Sequence, residues 1–422
     1  MHVLSKIGVA AGVIAASVAS IALALPASAD TGAVGGDAVV VGSDTVQNAA
    51  DFAFDGSPGV AGGFNTAGNA NRIVNVFATG DANGRLPYDG TCGAADSTGL
   101  GQFCNATNNL APNALAGSVV LRAGTKPVIR PNGSGAGVAA LISDSAGGTG
   151  YKGLPTGSIQ FARMSRLPNS TEISNCNANA SGCGALHVYQ VATDTLTIVH
   201  QASAYNGPAA LSSQDLVDIY TCAKTAWNQL PGNAGGSTAT IHPLIPQSGS
   251  GTRNFFLAQI ATDTGLGAPV TPGSCVRTVQ EHDPTGVYAD SSSADAIEPF
   301  STGKLAMINA GYFANGVGYA GTGSNSSLTA GAYTPNYLAI TSGTADGNGT
   351  ANFSTVRGMY VVARQTDVTS TTPFEPGAAA NAVATIITSP VSAFRSANGK
   401  SQIQQAGFTP LFKDCLTNPT TC

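Results

Sequence analysis

The stretch Pro246–Phe256, "PQSGSGTRNFF", poses the question on which the fold turns. Five small residues (Ser248, Gly249, Ser250, Gly251, Thr252) run into Arg253 and then into Phe255, Phe256 and Leu257. The run reads either as a flexible linker or as a loop that holds an anion at the start of a helix. A linker would continue into further polar chain, whereas a hydrophobic, helix-compatible segment follows here. Working outward, "TIHPLIPQSGSGTRNFFLAQI" (240–260) reads as strand, small-residue turn, helix.

The same form occurs twice more. "AVVVGSDTVQNAADFAF" (38–54) gives a buried strand over Val39–Val41, a Gly-Ser-Asp-Thr turn, and a helix with Val46, Ala49, Ala50 and Phe52 inward and Ser43 or Asp44 as its cap. "KPVIRPNGSGAGVAALI" (126–142) repeats it. "GSIQFARMSRLP" (157–168) gives a strand with a polar tip, "LHVYQVATDTLTIVHQ" (186–201) is strand-rich, and "GMYVVAR" (358–364) is a strand. "ALSSQDLVDIYTCAKTAWNQL" (210–230) predicts the clearest helix, capped by Ser212 with Asp215 in its first turn, and "AAANAVATIITSPVSAF" (378–394) another. Residues 55–126 read as irregular with short strands. Alternating strands and helices point to α/β layers.

Composition narrows the function classes. Lys6, an apolar run from Ile7 to Leu25 and the small residues of "PASAD" predict a secretory signal over 1–29, cleaved after Ala29; an uncleaved anchor is the alternative. No cysteine lies near the cleavage point, so a lipid anchor is not expected. Removing 29 of 422 residues leaves 393, with 17 basic against 23 acidic side chains. With no long Lys/Arg run, nucleic acid is excluded as a partner. Eight cysteines in an exported chain suggest four disulfides, and nearest-neighbour pairing (Cys92–Cys104, Cys176–Cys183, Cys222–Cys275, Cys415–Cys422) is the simplest arrangement. With no C-x-x-C and no paired histidines, zinc is not expected.

Three strand-to-helix turns of Gly, Ser and Thr carry the chemistry. A first helical turn has unpaired N–H groups and a partial positive charge, so it favours anions. Glycine permits close backbone approach and the hydroxyls add donors. Walker-type and G-x-S-x-G motifs do not occur. "QEHDPTG", with Glu281, His282 and Asp283, reads as a solvated loop because adjacent residues point different ways; a metal or acid–base cluster is the rival reading.

These landmarks resemble the type II periplasmic-binding-protein superfamily, specifically the phosphate-binding components of ABC importers. They are "VVGSDTVQ" (40–47), "NGSGAGVAAL" (132–141), "IQFARMSR" (159–166), "LSSQDLVDIYTCAKTAWNQL" (211–230), "SGSGTRNFF" (248–256), "MINAGYFANG" (307–316) and "AGFTPL" (406–411). The resemblance implies an α/β fold of two lobes joined by crossover strands: lobe I from 30 to 195, lobe II from 196 to 324, and a return to lobe I over 325–422. It implies ligand contacts at Thr45, Ser134, Ser250, Gly251 and Thr252; Ser43, Asp44, Ser165, Arg166 and Arg253 complete the expected set. Pro246 stands where the family has an arginine, with Arg253 as its expected replacement. Met164, Ser165 and Arg166 stand where the family has an acceptor aspartate, a role that falls to Asp44 if its carboxylate points inward.

The expectation is a secreted, monomeric solute-binding protein that takes phosphate or a related small oxyanion, without catalysis, cofactor or metal, and serves an ABC-type permease. The alternatives are a secreted phosphoester hydrolase on the same scaffold and a cell-surface interaction protein with a vestigial cleft.

Overall fold

Val39, Val40 and Val41 form the centre of β1 (Ala38–Gly42), every residue of which is buried. Such a continuous apolar run suits a parallel strand covered on both faces. In the computed structural model the described residues are 33–57, 62–65, 71–78, 118–126, 128–282, 284–288, 290, 292–309, 338–341, 352–370, 383 and 392–422. The expected signal segment, Cys92, Cys104, Asp283, most of the 307–316 landmark and most of the 378–394 helix lie outside them.

β1 leads into α1 (Asp44–Asp55) and pairs in parallel with β2 (Ile73–Asn75). A short hairpin of β3 (Ser118–Val119) and β4 (Val128–Ile129) delivers α2 (Ser134–Ser143). β5 (Phe161–Met164) joins β1 in parallel, and α3 (Ser170–Ala178) follows, closed by a capping box between Asn169 and Glu172. The chain then runs through β6 (Leu186–Gln201), 16 residues without a break.

Beyond β6 the pattern repeats. α4 (Ser213–Tyr220) precedes β7 (His242–Pro246), α5 (Gly251–Asp263), β8 (Arg277–Val279) and α6 (Thr285–Tyr288). β9 (Ala296–Ser301) and α7 (Thr302–Asn309) come next, and β7 pairs in parallel with both β8 and β9. β10 (Leu338–Ile340), β11 (Thr355–Arg364), α8 (Gln365–Thr369), α9 (Ala397–Gln405) and β12 (Thr409–Asp414) complete the described elements.

The strand order is β2-β1-β5-β11-β6-β9-β7-β8, with β10 and β12 also on β6. Two parallel sets, β2-β1-β5 and β8-β7-β9, are therefore bridged by the antiparallel pair β6–β11. β6 begins among one apolar cluster, where Leu186 and Val188 pack with Val39, Val41 and Leu141. It ends in another, where Leu196 and Ile198 pack with Leu216, Trp227 and Phe256. A third cluster, including Phe54, Tyr189, Phe300 and Phe394, spans the other face. The expected boundary at 195/196 falls inside β6, which passes from one cluster to the other.

The 210–230 helix is shorter than expected. Ser212 and Asp215 form its capping box, but α4 stops at Tyr220, where Cys222 turns left-handed (φ 64°) and is tied to Cys275. Cys176–Cys183 and Cys415–Cys422 are bonded too. Among the described residues, no helix is long and apolar enough to cross a membrane.

Asp144, just past α2, is fully buried beside Arg364 (3.4 Å) and accepts the Ile159 N–H (2.7 Å). Burial pushes its carboxyl up to about 6 against the pull of Arg364. A raised folded-state value means that the unfolded chain gives up the proton first, so stability falls as pH rises from about 4 to about 6. Asp144→Asn keeps an acceptor for Ile159. In chemical denaturation at pH 4 and pH 7, the wild type should lose about 2 kcal/mol more than this variant over that interval. Equal losses would remove Asp144 as the cause.

Candidate functional site

The first turns of α1, α2 and α5 converge. Each helix begins directly after a small-residue turn: Gly42 (φ 115°) before Ser43, Gly133 (φ 96°) before Ser134, Gly249 (φ 85°) before Ser250. Glycine is required at Gly133, because a Cβ there would stand 2.6 Å from the Gly249 carbonyl oxygen. The α2 and α5 turns touch directly, with the Gly135 N–H donating to the Gly249 carbonyl (3.1 Å). Asn132 extends the contact, accepting from Gln247 (2.8 Å) and donating to Gln280 (3.0 Å).

Hydroxyls line this junction. Ser43 Oγ donates to Ser165 Oγ (3.2 Å), the Ser165 N–H donates to Ser134 Oγ (3.0 Å), and the two serine oxygens lie 3.4 Å apart. A Cβ on Gly251 would meet Ser134 Oγ at 2.2 Å and Ser165 Oγ at 2.3 Å. On the other side, Thr45 Oγ1 lies 3.1 Å from Thr252 Oγ1. Ser43, Thr45, Ser134, Ser165, Ser250 and Thr252 are all buried. Ser250 caps α5 by accepting the Arg253 N–H (3.1 Å).

The expected cations behave differently. Arg253 stands one position beyond Thr252 on α5, and the helical step carries its side chain away from the junction. Its guanidinium donates to the Pro246 carbonyl (3.0 Å), beside the position where it was expected to replace an arginine. Arg166 is held by Glu172 in a two-pronged ion pair (2.6 and 2.8 Å) and donates to the Leu167 carbonyl; its Nε has no partner among the described residues. Asp44 is buried with Oδ1 3.8 Å from Lys304 Nζ, and its Oδ2 has no partner among the described residues.

Arg163 of β5 donates to the Ser43 carbonyl (3.1 Å), and Arg357, on β11, also reaches the junction. Arg357 donates to Thr252 Oγ1 (2.7 Å) and forms an ion pair with Asp194 of β6 through Nε (3.1 Å) and Nη2 (3.0 Å). Asp194 also accepts from Ser301 Oγ (2.9 Å) and the Gly303 N–H (3.2 Å). Burial raises the Asp194 carboxyl while Arg357 lowers it; the net direction is up. Sequence reasoning passed over Arg357, although a signal existed: it shares alternation with buried Met359 in a strand of mainly apolar residues.

The "QEHDPTG" reading needs correcting. Glu281 and His282 are fully buried at the junction, not in a solvated loop. Glu281 Oε1 accepts from Thr45 Oγ1 (3.0 Å) and from the Thr252 N–H (3.2 Å), and His282 Nε2 lies 2.9 Å from Thr45 Oγ1. Successive side chains reach one target because His282 is left-handed (φ 57°), which breaks the alternation of an extended chain. Among the described residues, no group of three His, Cys, Asp or Glu side chains is placed to hold a metal ion.

The model of the periplasmic-binding-protein (PBP) superfamily domain matches residues 113–391, more than half of the sequence, and the chain belongs to that superfamily. No curated protein matches it. Among solved structures, the chain is similar to an ABC-type phosphate transport receptor from Vibrio cholerae at 15% identity and a TM-score of 0.45, covering 89% of this chain and 100% of that one. It is also similar to a phosphate-binding protein from Stenotrophomonas maltophilia at 14% identity and a TM-score of 0.40, covering 66% of this chain and 82% of that one.

Gly251 gives a direct handle on the junction. Gly251→Val would drive carbon into Ser134 and Ser165 and hold the two turns apart. Forced overpacking of this kind costs about 1–3 kcal/mol. The expected result is a lower melting temperature and a larger radius of gyration in small-angle scattering. An unchanged radius would mean that the turns do not meet in solution.

Proposed function

We propose that the protein is a secreted, two-lobe solute-binding protein that captures phosphate or a related small oxyanion between its lobes, without catalysis. The observation that carries this reading is the meeting of three helix N-termini, from both sides of β6–β11, around buried hydroxyls and Arg357. Helix N-termini offer unpaired N–H groups, the hydroxyls add neutral donors, and a guanidinium adds charge. Thr45, Ser134, Gly251, Thr252 and Arg357 form the proposed contact set, with Ser43, Ser165 and Ser250 supporting it. A monomer serving an ABC-type permease, with lobes divided near 195/196 and 324/325, is the arrangement this reading carries with it.

Thr252 is the hub, since Thr45, His282 and Arg357 all meet its hydroxyl. In titration calorimetry of the mature chain, stripped of ligand by unfolding and refolding, phosphate should bind. Thr252→Val should weaken it roughly tenfold or more, the worth of one hydrogen bond to a charged ligand. Arg253→Gln should leave the affinity within about twofold, because Arg253 faces the Pro246 carbonyl. Equal losses in both variants would place the anion elsewhere.

One observation favours the hydrolase alternative. The Thr45 hydroxyl lies against His282 with Glu281 beside it, a hydroxyl–imidazole–carboxylate grouping. Release of nitrophenol from nitrophenyl phosphate, abolished by Thr45→Val, would select that reading over pure binding. Failure to bind any oxyanion, with no hydrolysis, would leave the interaction-protein alternative.

A further inference from the structure

The groups best placed to hold an oxyanion are already engaged by an anion of the chain itself. Glu281 Oε1 accepts the Thr45 hydroxyl and the Thr252 N–H, one donor from α1 and one from the first turn of α5. Its carboxylate is fully buried, and Oε2 has no hydrogen-bond partner among the described residues. A buried carboxylate with one oxygen unmatched is costly, so something must hold it in place. The backbone does: the Glu281 N–H donates to Gln247 Oε1 (2.8 Å), and the left-handed His282 turns the chain so that both side chains face Thr45.

We propose that Glu281 is a built-in occupant of the anion seat: it closes the junction when no ligand is bound, and an entering oxyanion must displace it. The inference rests on the oxyanion reading above. An oxyanion and the Glu281 carboxylate would compete for the same O–H and N–H donors, and sharing them would put two like charges in contact. Glu281 thus places a negative charge of the chain itself at the first turn of α5, where a helix N-terminus favours one. Ligand affinity is then set by the difference between two anions on one set of donors. Displacement also couples binding to movement of the Gln280–His282 segment, which Gln247 and Asn132 tie to the α2 and α5 turns. The opposing idea, that Oε2 takes a proton from the ligand and so helps to hold it, predicts the reverse effect of removing the carboxylate.

The test is titration calorimetry with inorganic phosphate and with sulfate on the mature wild type, Glu281→Gln and Glu281→Ala, each checked by thermal melting. Phosphate should bind both variants roughly tenfold or more tightly than wild type, and sulfate should gain as well. Silence of the wild type with binding by Glu281→Ala would support displacement in its strongest form. Measurable wild-type binding that is unchanged or weakened in the variants would overturn this proposal and leave the oxyanion reading standing. Silence of all three proteins would overturn both. Should the variants fail to fold, hydrogen exchange on the wild type decides. Phosphate should accelerate exchange at residues 280–282 while slowing it at 251–253, and no acceleration at 280–282 would overturn the proposal.

Discussion

The ion pair between Arg357 and Asp194 ties together the elements on which the site depends. The two residues are direct partners in the register of β11 on β6, the strands that bridge the two parallel sets. From that pair the contacts fan outward, since Arg357 reaches Thr252 on α5 while Asp194 takes the Ser301 hydroxyl and the Gly303 N–H at the start of α7. Both side chains are wholly buried. Taking two charges out of water is expensive, and their attraction offsets it only when the remaining polar atoms are also matched. Here they are matched by groups from α5 and α7, so the charge pair and the placing of those helices depend on each other. Loss of one partner of such a pair costs about 3–5 kcal/mol.

The junction gathers buried charge of both signs. Asp44, Asp194 and Glu281 are buried there with Arg163, which donates to the Ser43 carbonyl, and with Arg357 and Lys304. In the oxyanion reading proposed above, helix N-termini and hydroxyls add donors, and the glycines let those N-termini approach closely enough to act together. If Glu281 is displaced as proposed, which anion sits on the donors decides whether the two sides remain together.

Much of the scaffold was legible in the sequence. The apolar run over Val39–Val41 and the strand-rich stretch 186–201 became β1 and β6, and the small-residue turns became the starts of α1, α2 and α5, because turn chemistry and burial period are local properties. The site was legible only in part. Thr45, Ser134 and Thr252 stand at motif positions and come together. Arg357 lies in no quoted motif and Glu281 lies in "QEHDPTG", read as a solvated loop; what brings them to the junction is strand register and one left-handed residue, neither of which a linear pattern records. Arg253 follows Thr252 directly in the sequence but donates to the Pro246 carbonyl, since one further residue turns a helical side chain to another face. The 210–230 segment failed as one helix because Cys222, bonded to Cys275, imposes a backbone turn that helical spacing cannot reveal.

The most direct test of the central claim is a crystal structure of the mature protein grown with arsenate, whose anomalous scattering locates the anion without reference to any side chain. The account predicts one strong peak within hydrogen-bonding distance of Thr45 Oγ1 and the Thr252 N–H, between the first turns of α1, α2 and α5. A peak confined to the surface, or at Arg166 or Arg253 with the junction unoccupied, would contradict it.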